Sequence, residues 1–97
     1  MYALVLIRYR LPIEEVAKVT DEHRSYLHQL KLAGTLIAAG PMDPRTGGAI
    51  IVRVPDDNIQ QSLTAIRDGD PFYMQHVANF ELIPWKPLIG KDALDKM

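Results

Sequence analysis

The feature that most limits the fold is the order in which two hydrophobic periodicities alternate along the chain. Strand patterns are predicted at residues 2–10, 35–40, 48–54 and 77–85. Helical patterns are predicted over residues 12–34 and after residues 55–58. The order is therefore β-α-β-β-α-β, the split βαβ arrangement of ferredoxin-like α+β folds. This order predicts a four-stranded antiparallel sheet with both helices on one face.

The first strand pattern is apolar on both of its faces. Alternating positions place Tyr2, Leu4 and Leu6 on one face, and Ala3, Val5 and Ile7 on the other. A strand that is buried on both faces needs cover on both sides. Since the helices of this chain cover only one face, we expect a second copy to cover the other, which predicts a homodimer through sheet faces.

His23 lies on the inward stripe of the first helical region. It precedes Leu27 by one turn and Leu30 by two, whereas His28 falls off this stripe and is expected to be solvated. Thr20-Asp21 offers two capping residues, so this region is expected either as one helix or as a short helix followed by a longer one. Gly34 is the expected end of the region.

The second and third strands are expected to form a hairpin, because the residues between them are dense in turn formers. Ala38, Ala39 and Gly40 leave room beside the second strand, either for a ligand or for simple helix packing. Residues 55–58 are predicted to cap the next helix, whose buried stripe contains Ile59, Leu63 and Ile66.

The four residues Gly69-Asp70-Pro71-Phe72 separate this helix from the last strand. Gly69 can end one helix, Asp70 can cap the next, and Pro71 suits a first helical position. Asp70 is also the best candidate partner for His23, since a carboxylate on one imidazole nitrogen fixes the tautomer. Without this pairing, His23 is a satisfied core residue and Asp70 is only a cap.

Composition excludes several other functions. The net charge is −1 and there is no cysteine, so nothing favours binding to nucleic acid or an anionic membrane, and thiolate chemistry is excluded. The apolar run at residues 2–7 is too short for a membrane span and lacks a basic flank, which favours the cytoplasm. We expect a single domain over residues 1–97, with a polar C-terminal tail at 88–97.

The common site motifs are also missing. His23 and His28 are five residues apart and do not share a helical face, so no metal site is expected. No glycine-rich phosphate loop and no Gly-x-Ser-x-Gly elbow occurs. No cofactor is therefore predicted, and His23 remains as the candidate for acid–base chemistry.

Four segments together resemble the YCII-related family: EHRSYLHQLKLAG, AAGPMDPRTGG, DPF and IPW. The resemblance extends from Tyr2 to about Trp85, and Gly40-Pro41 matches the turn after the second strand of the family. It implies a dimeric α+β barrel fold and a His–Asp pair near the dimer interface, which corresponds to His23 and Asp70 here. The polar tail after Trp85 departs from the resemblance.

The resemblance implies a cofactor-independent lyase or isomerase that acts on a small polar metabolite. His23 would be the general acid and base, and Asp70 its orienting partner. Arg8, Tyr9 and Tyr26 are candidates for binding the substrate, although Arg8 also fits a solvated strand edge. The alternative function is a non-catalytic dimeric domain that binds a small ligand or serves as an accessory module, with a structural His23–Asp70 hydrogen bond.

Overall fold

The computed structural model describes residues 1–97 and confirms the predicted βαββαβ order. The elements are β1 (Tyr2–Tyr9), α1 (Ile13–Leu32), β2 (Leu36–Pro41), β3 (Gly47–Arg53), α2 (Ile59–Asp68), α3 (Pro71–Met74), β4 (Ala78–Trp85) and α4 (Lys91–Asp95). The strands form one antiparallel sheet in the order β2-β3-β1-β4. The ferredoxin-like α+β architecture is therefore present. No helix is both long enough and apolar enough to cross a bilayer.

The core lies between one face of the sheet and the helices α1, α2 and α3. From β1 it receives Ala3, Val5 and Ile7, which are at most 2% exposed. Leu63 of the predicted α2 stripe and Phe72 of α3 pack in the same cluster. Burial of these apolar side chains is the main favourable contribution to the folded state, and it fixes α3 against the sheet.

Helix α1 runs without a break through Thr20 and Asp21, so of the two alternatives the single helix is confirmed. The Thr20 side chain is buried, and its hydroxyl donates a hydrogen bond to the Val16 carbonyl at 2.9 Å instead of capping a new helix. The predicted end at Gly34 is confirmed, because Gly34 has φ +82° and its N–H bonds the Lys31 carbonyl.

The start of α2 differs from the prediction in one respect. Asn58 occupies the N-cap position with φ 57°, and no side-chain hydrogen bond caps the helix. Asp56 instead accepts a hydrogen bond from the Met1 amino group at 2.6 Å, and this bond lowers the pKa of the Asp56 carboxyl. The N-cap therefore lies within residues 55–58 as predicted, at Asn58, but its side chain makes no capping hydrogen bond. The left-handed backbone of Asn58 differs from the extended conformation in which an N-cap side chain reaches the first amides of the helix.

The sheet face opposite α1, α2 and α3 is called the open face below. It carries the half-buried apolar side chains of Leu4, Leu6, Ile51 and Ile83, which the strand register places side by side. One end of this face is covered by the chain itself, since the predicted polar tail contains α4 (Lys91–Asp95). Only α1, α2 and α3 thus lie together on one face of the sheet.

Two side chains of the open face hold α4 in place. Tyr2 donates its hydroxyl hydrogen to the Asp95 carboxylate, and Arg53 donates to the Leu94 and Met97 carbonyls at 2.8 Å and 3.1 Å. Tyr2 and Arg53 are paired across β1 and β3, so one row of the sheet binds the tail. The tail is consequently packed against the sheet, and side chains of two strands form hydrogen bonds with it.

Candidate functional site

His23 and Asp70 form a hydrogen-bonded pair between α1 and the start of α3. The Nδ1 atom of His23 lies 2.8 Å from Oδ1 and 3.0 Å from Oδ2 of Asp70. Their side chains are 12% and 2% exposed, respectively, so the contact is largely shielded from solvent. Hydrogen bonds to a charged group are stronger in such a setting than in water. The predicted pairing therefore exists.

The backbone around Asp70 explains how the carboxylate is positioned. Asp70 occupies the N-cap of α3, and its Oδ1 accepts the N–H of Phe72 at 2.9 Å, while Pro71 takes the first helical position. The Asp70 N–H bonds the Arg67 carbonyl in the last turn of α2. One oxygen thus serves the cap and the imidazole together, and the alternative in which Asp70 is only a cap is wrong.

Phe72 fixes the plane of the imidazole. Its ring lies parallel to that of His23, with 3.9 Å between ring centroids and 6° between planes. The ring of Tyr9 in β1 is nearly perpendicular to that of Phe72, with 5.9 Å between the two centroids. The imidazole is consequently held by a hydrogen bond in its plane and by an aromatic ring across its face.

The other ring nitrogen of His23, Nε2, is free to react. A carboxylate accepts hydrogen bonds only, so Nδ1 carries the hydrogen and a neutral imidazole presents the lone pair of Nε2. Nε2 has no hydrogen-bond partner in the protein, and no buried side-chain nitrogen or oxygen is left unpaired. It follows that Nε2 is accessible from outside the core.

A cavity of about 440 Å³ adjoins His23 between α1 and the β2–β3 hairpin. Its size lies within the range of small-molecule sites. Ala38, Ala39 and Gly40 line one side, so the small residues of β2 do open a space for a ligand. The interior side is apolar and includes Ile7, Ile50 and Phe72, among others. His23 is thus a polar group on the wall of a largely apolar cavity.

Of the three predicted substrate-binding residues, the structure brings only Tyr9 to this cavity. Arg8 is exposed on the open face, because successive residues of β1 point to opposite sides. Tyr26 lies outside the cavity, and its hydroxyl donates to the Ile66 carbonyl at 2.7 Å. Burial, together with the nearby carboxylates Asp70 and Asp68, raises the pKa of Tyr26.

Tyr26 instead joins α1 to the segment that carries Asp70. A Cβ atom added at Gly69 would lie 2.8 Å from the Tyr26 hydroxyl oxygen, which is closer than such atoms approach. A side chain at this position would push the end of the Tyr26 ring aside, so glycine suits both this close contact and the end of α2. The Tyr26 hydrogen bond thus links α1, which carries His23, to the last turns of α2, which directly precede Asp70.

Four cavity residues were missed by the sequence interpretation: Arg24, His28, Lys31 and Arg45. The first three lie at positions i, i+4 and i+7 of α1 and so share one helical stripe beside that of His23. Their spacing is a usable signal, and the predicted exposure of His28 is confirmed, although its place on the cavity was not predicted. No three His, Asp or Glu side chains converge in a way that could hold a metal ion.

Comparisons with known proteins agree with this architecture. The model of the YCII-related domain matches residues 1–86, which leaves most of the tail outside the match. No curated protein matches the chain. Among solved structures, the chain is similar to 5-chloro-2-hydroxyhydroquinone dehydrochlorinase from Burkholderia phenoliruptrix AC1100, in complex with 2,5-dihydroxybenzoquinone. The TM-score is 0.73 at 21% identity, covering 89% of this chain and 94% of that one, so this likeness shows the fold.

Proposed function

Since the chain belongs to the YCII-related family, we propose that it is a cofactor-independent enzyme of the lyase or isomerase type. In this proposal His23 is the general acid and base, Asp70 is its orienting partner, and the substrate is a small polar metabolite. The observation that carries the proposal is the free Nε2 atom of a tautomer-fixed histidine on the wall of a cavity. Such an arrangement is suited to moving one proton.

The chemistry begins with proton abstraction by Nε2. The proton comes from a substrate carbon next to a carbonyl, and the electrons of the broken C–H bond form the C=C bond of an enolate. The imidazolium that results is stabilised by the Asp70 carboxylate at Nδ1. In an isomerase, Nε2 returns the proton to a different carbon. In a lyase, a leaving group departs with its bonding electrons and the proton is later released to water.

Ring compounds with oxygen substituents are the first substrates to test. The similar dehydrochlorinase is named for 5-chloro-2-hydroxyhydroquinone and was solved with 2,5-dihydroxybenzoquinone, and both are small oxygenated rings. A cavity of about 440 Å³ has room for a molecule of this size. Screening hydroxyquinones and small lactones for ligand-induced stabilisation would identify the compounds to take into turnover assays.

The proposed enzyme is a homodimer that forms through the open face. The half-buried Leu4, Leu6 and Ile51 form a contiguous apolar surface that a second copy would remove from water. Light scattering at micromolar concentration should give twice the chain mass, whereas a stable monomer would contradict this part of the proposal. The expected cytoplasmic location stays a prediction, and cell fractionation tests it.

Substitution of His23 tests the catalytic role. We expect His23→Gln to reduce turnover of a screened substrate by about 100- to 10,000-fold, the usual contribution of a general acid–base group. The matched control is His76→Asn, since His76 is exposed, lies outside the cavity and has φ 59°, which asparagine tolerates. Circular dichroism and thermal unfolding should show that His23→Gln remains folded.

Asp70→Ser separates the orienting role from the capping role. Serine can still cap α3 through the Phe72 N–H, but it removes the carboxylate from Nδ1. We expect a large loss of turnover and a loss of stability of about 1–3 kcal/mol, because the Nδ1–H of His23 is left without its acceptor. The alternative, a non-catalytic binding domain, is favoured by the double use of the Asp70 oxygen, which has structural value by itself. That alternative would be supported if His23→Gln changed only the melting temperature and every bound compound stayed unconverted.

A further inference from the structure

The charged side chains around the cavity all have the same sign. Arg24, Lys31 and Arg45 line it together with His23 and His28, and no aspartate or glutamate does. The whole chain has 11 Lys and Arg against 12 Asp and Glu, so its charges are almost balanced. The local excess of positive charge is therefore a property of the cavity and does not follow from composition.

These cations have no carboxylate partners within the protein. Lys18, Arg67 and Lys91 each form a salt bridge elsewhere on the surface, whereas Arg24, Lys31 and Arg45 form none. Lys31 also lies in the last turn of α1, where a cation is favourable without any ligand. Arg24 in the middle of α1 and Arg45 in the hairpin loop have no such structural explanation.

The basic residues stand on both sides of the cavity mouth. Arg24 and Lys31 belong to one stripe of α1, and Arg45 lies in the loop between β2 and β3. The Nε atom of Arg45 donates a long hydrogen bond of 3.4 Å to the Tyr9 hydroxyl. Tyr9 in turn contacts Phe72, which stacks on His23, so two packed rings connect Arg45 to the imidazole.

From this arrangement we propose that the cavity selects small organic anions, with a flat apolar body and one carboxylate or acidic enol group. The proposal rests on the proposed function, because it concerns the same cavity. Arg24 and Arg45 bind the anionic oxygens at the mouth, while Ile7, Ile50 and Phe72 receive the apolar body. A guanidinium pairs with a carboxylate through two parallel hydrogen bonds, which makes arginine the better match for this group.

Anion recognition would also assist the proton transfer. Removing a proton from carbon next to a carbonyl leaves negative charge on oxygen, and nearby fixed cations stabilise that charge. Cations at the mouth additionally raise the rate at which an anionic compound reaches the cavity, an effect that salt weakens. Substrate selection and stabilisation of the developing enolate thus follow from the same residues.

Binding of benzoate and benzamide tests the inference, because the two probes have nearly the same shape and differ in charge. We expect isothermal titration calorimetry on the full chain to show benzoate binding at least about tenfold tighter, the size of one charge-assisted hydrogen bond. Arg24→Gln and Arg45→Gln should each weaken benzoate about tenfold and leave benzamide unchanged. Raising the salt concentration should reduce the affinity for benzoate only.

Two further variants locate the effect. Lys18→Gln removes a cation from α1 outside the cavity and should leave both affinities unchanged. Ala39→Leu adds volume inside the cavity and should weaken both probes. The inference is overturned if the probes bind equally, if neither binds, or if Lys18→Gln weakens benzoate as much as Arg45→Gln does.

The same measurements separate this inference from the proposed function. Binding requires no turnover, so His23→Gln should keep the preference for benzoate even though it would be inactive. If screened compounds are never converted but the preference for benzoate holds, the enzyme proposal fails and the anion site stands. If compounds are converted but benzoate and benzamide bind alike, the anion site fails and the enzyme proposal stands.

Discussion

The two faces of the sheet differ in how much of their apolar surface the chain itself covers. Val5 and Leu6 are neighbours on β1, yet Val5 is fully buried under the helices while Leu6 is only half-buried on the open face. The helix-covered face closes within one chain and contains the His23–Asp70 pair. On the open face, the chain covers only the end where α4 binds Tyr2 and Arg53.

This difference separates the contacts that one chain makes alone from the surface that the proposed dimer would cover. The His23–Asp70 contact and its aromatic stack depend only on packing within the chain, so a single copy can form them. The open face has no such internal cover over Leu4, Leu6 and Ile51, and its apolar area is available for association. Substitutions on the two faces should therefore fail in different ways.

The largest effect is expected from a carboxylate on the helix-covered face. Val5→Asp would bury an unpaired charge at a position with 0% exposure, which should cost about 4 kcal/mol or more and unfold the chain. Leu6→Asp, one residue further along, should leave a folded chain and convert the proposed dimer to monomers. Circular dichroism and light scattering measure the two outcomes. If both variants unfold, the two faces do not differ as described.

Phe72 is expected to matter next, because it lies in the core and against the imidazole. Phe72→Ala should lower the free energy of unfolding by about 3–5 kcal/mol, as for other buried aromatic residues. Phe72→Leu keeps most of the side-chain volume and should lower the free energy of unfolding by less. It removes the aromatic ring that stacks on His23, so the imidazole should be less well oriented and turnover should fall. Phe80→Leu is the control, since Phe80 is half-buried and packs against Tyr73, away from the pair. Equal turnover in both leucine variants would contradict a role for the stack.

Tyr26→Phe tests the hydrogen bond between α1 and α2, and we expect it to lower the free energy of unfolding by less than Phe72→Ala does. Removing the hydroxyl leaves the Ile66 carbonyl without its partner, which should cost about 1–3 kcal/mol in chemical denaturation. Because the pKa of Tyr26 is raised in the folded state, its contribution is present below the ordinary tyrosine pKa and is lost as pH rises through the raised value. The phenylalanine variant should lack this part of the alkaline loss. Tyr73→Phe, which removes no hydrogen bond, should unfold at the wild-type denaturant concentration.

The smallest effect is expected at the exposed α4 tie. The hydrogen bond from Lys91, together with that from Tyr2, lowers the pKa of Asp95. A lowered pKa means that this contact contributes above the ordinary aspartate pKa and is lost as pH falls through the lowered value. Asp95→Asn should therefore speed hydrogen–deuterium exchange in residues 91–96 and leave α1 and α3 unchanged. Asp92→Asn is the control, and equal exchange in both variants would refute the tie.

The parts that the sequence predicted well depend on local rules. Asp70 was identified because an aspartate before a proline suits a helix start, and His23 because its spacing to Leu27 places it inward. The cap places the Asp70 carboxylate at a fixed position, and the helical spacing turns His23 inward. The two side chains can therefore form a pair wherever their helices are in contact. The order of strands and helices followed from periodicity alone.

The parts that could not be predicted depend on tertiary contacts. Asn58 and Thr20 are good caps in isolation, but the left-handed backbone at Asn58 and the continuous packing of α1 prevail over these preferences. Arg8 and Tyr9 differ by one residue, and that single step decides which face of the sheet each side chain occupies. Arg45 lies on the cavity only because the β2–β3 hairpin folds against α1. The helical spacing of α1 therefore gives no sign of its position.

The parallel rings of Phe72 and His23 also give the site a spectroscopic signature. Protons held above the face of a benzene ring are shielded by its circulating electrons, so the carbon-bound protons of the His23 imidazole should resonate upfield in an NMR spectrum. Exposed His76 has no such ring above it and provides the reference signal. The difference between these two histidines would follow the orientation of His23 in solution as a compound enters the cavity.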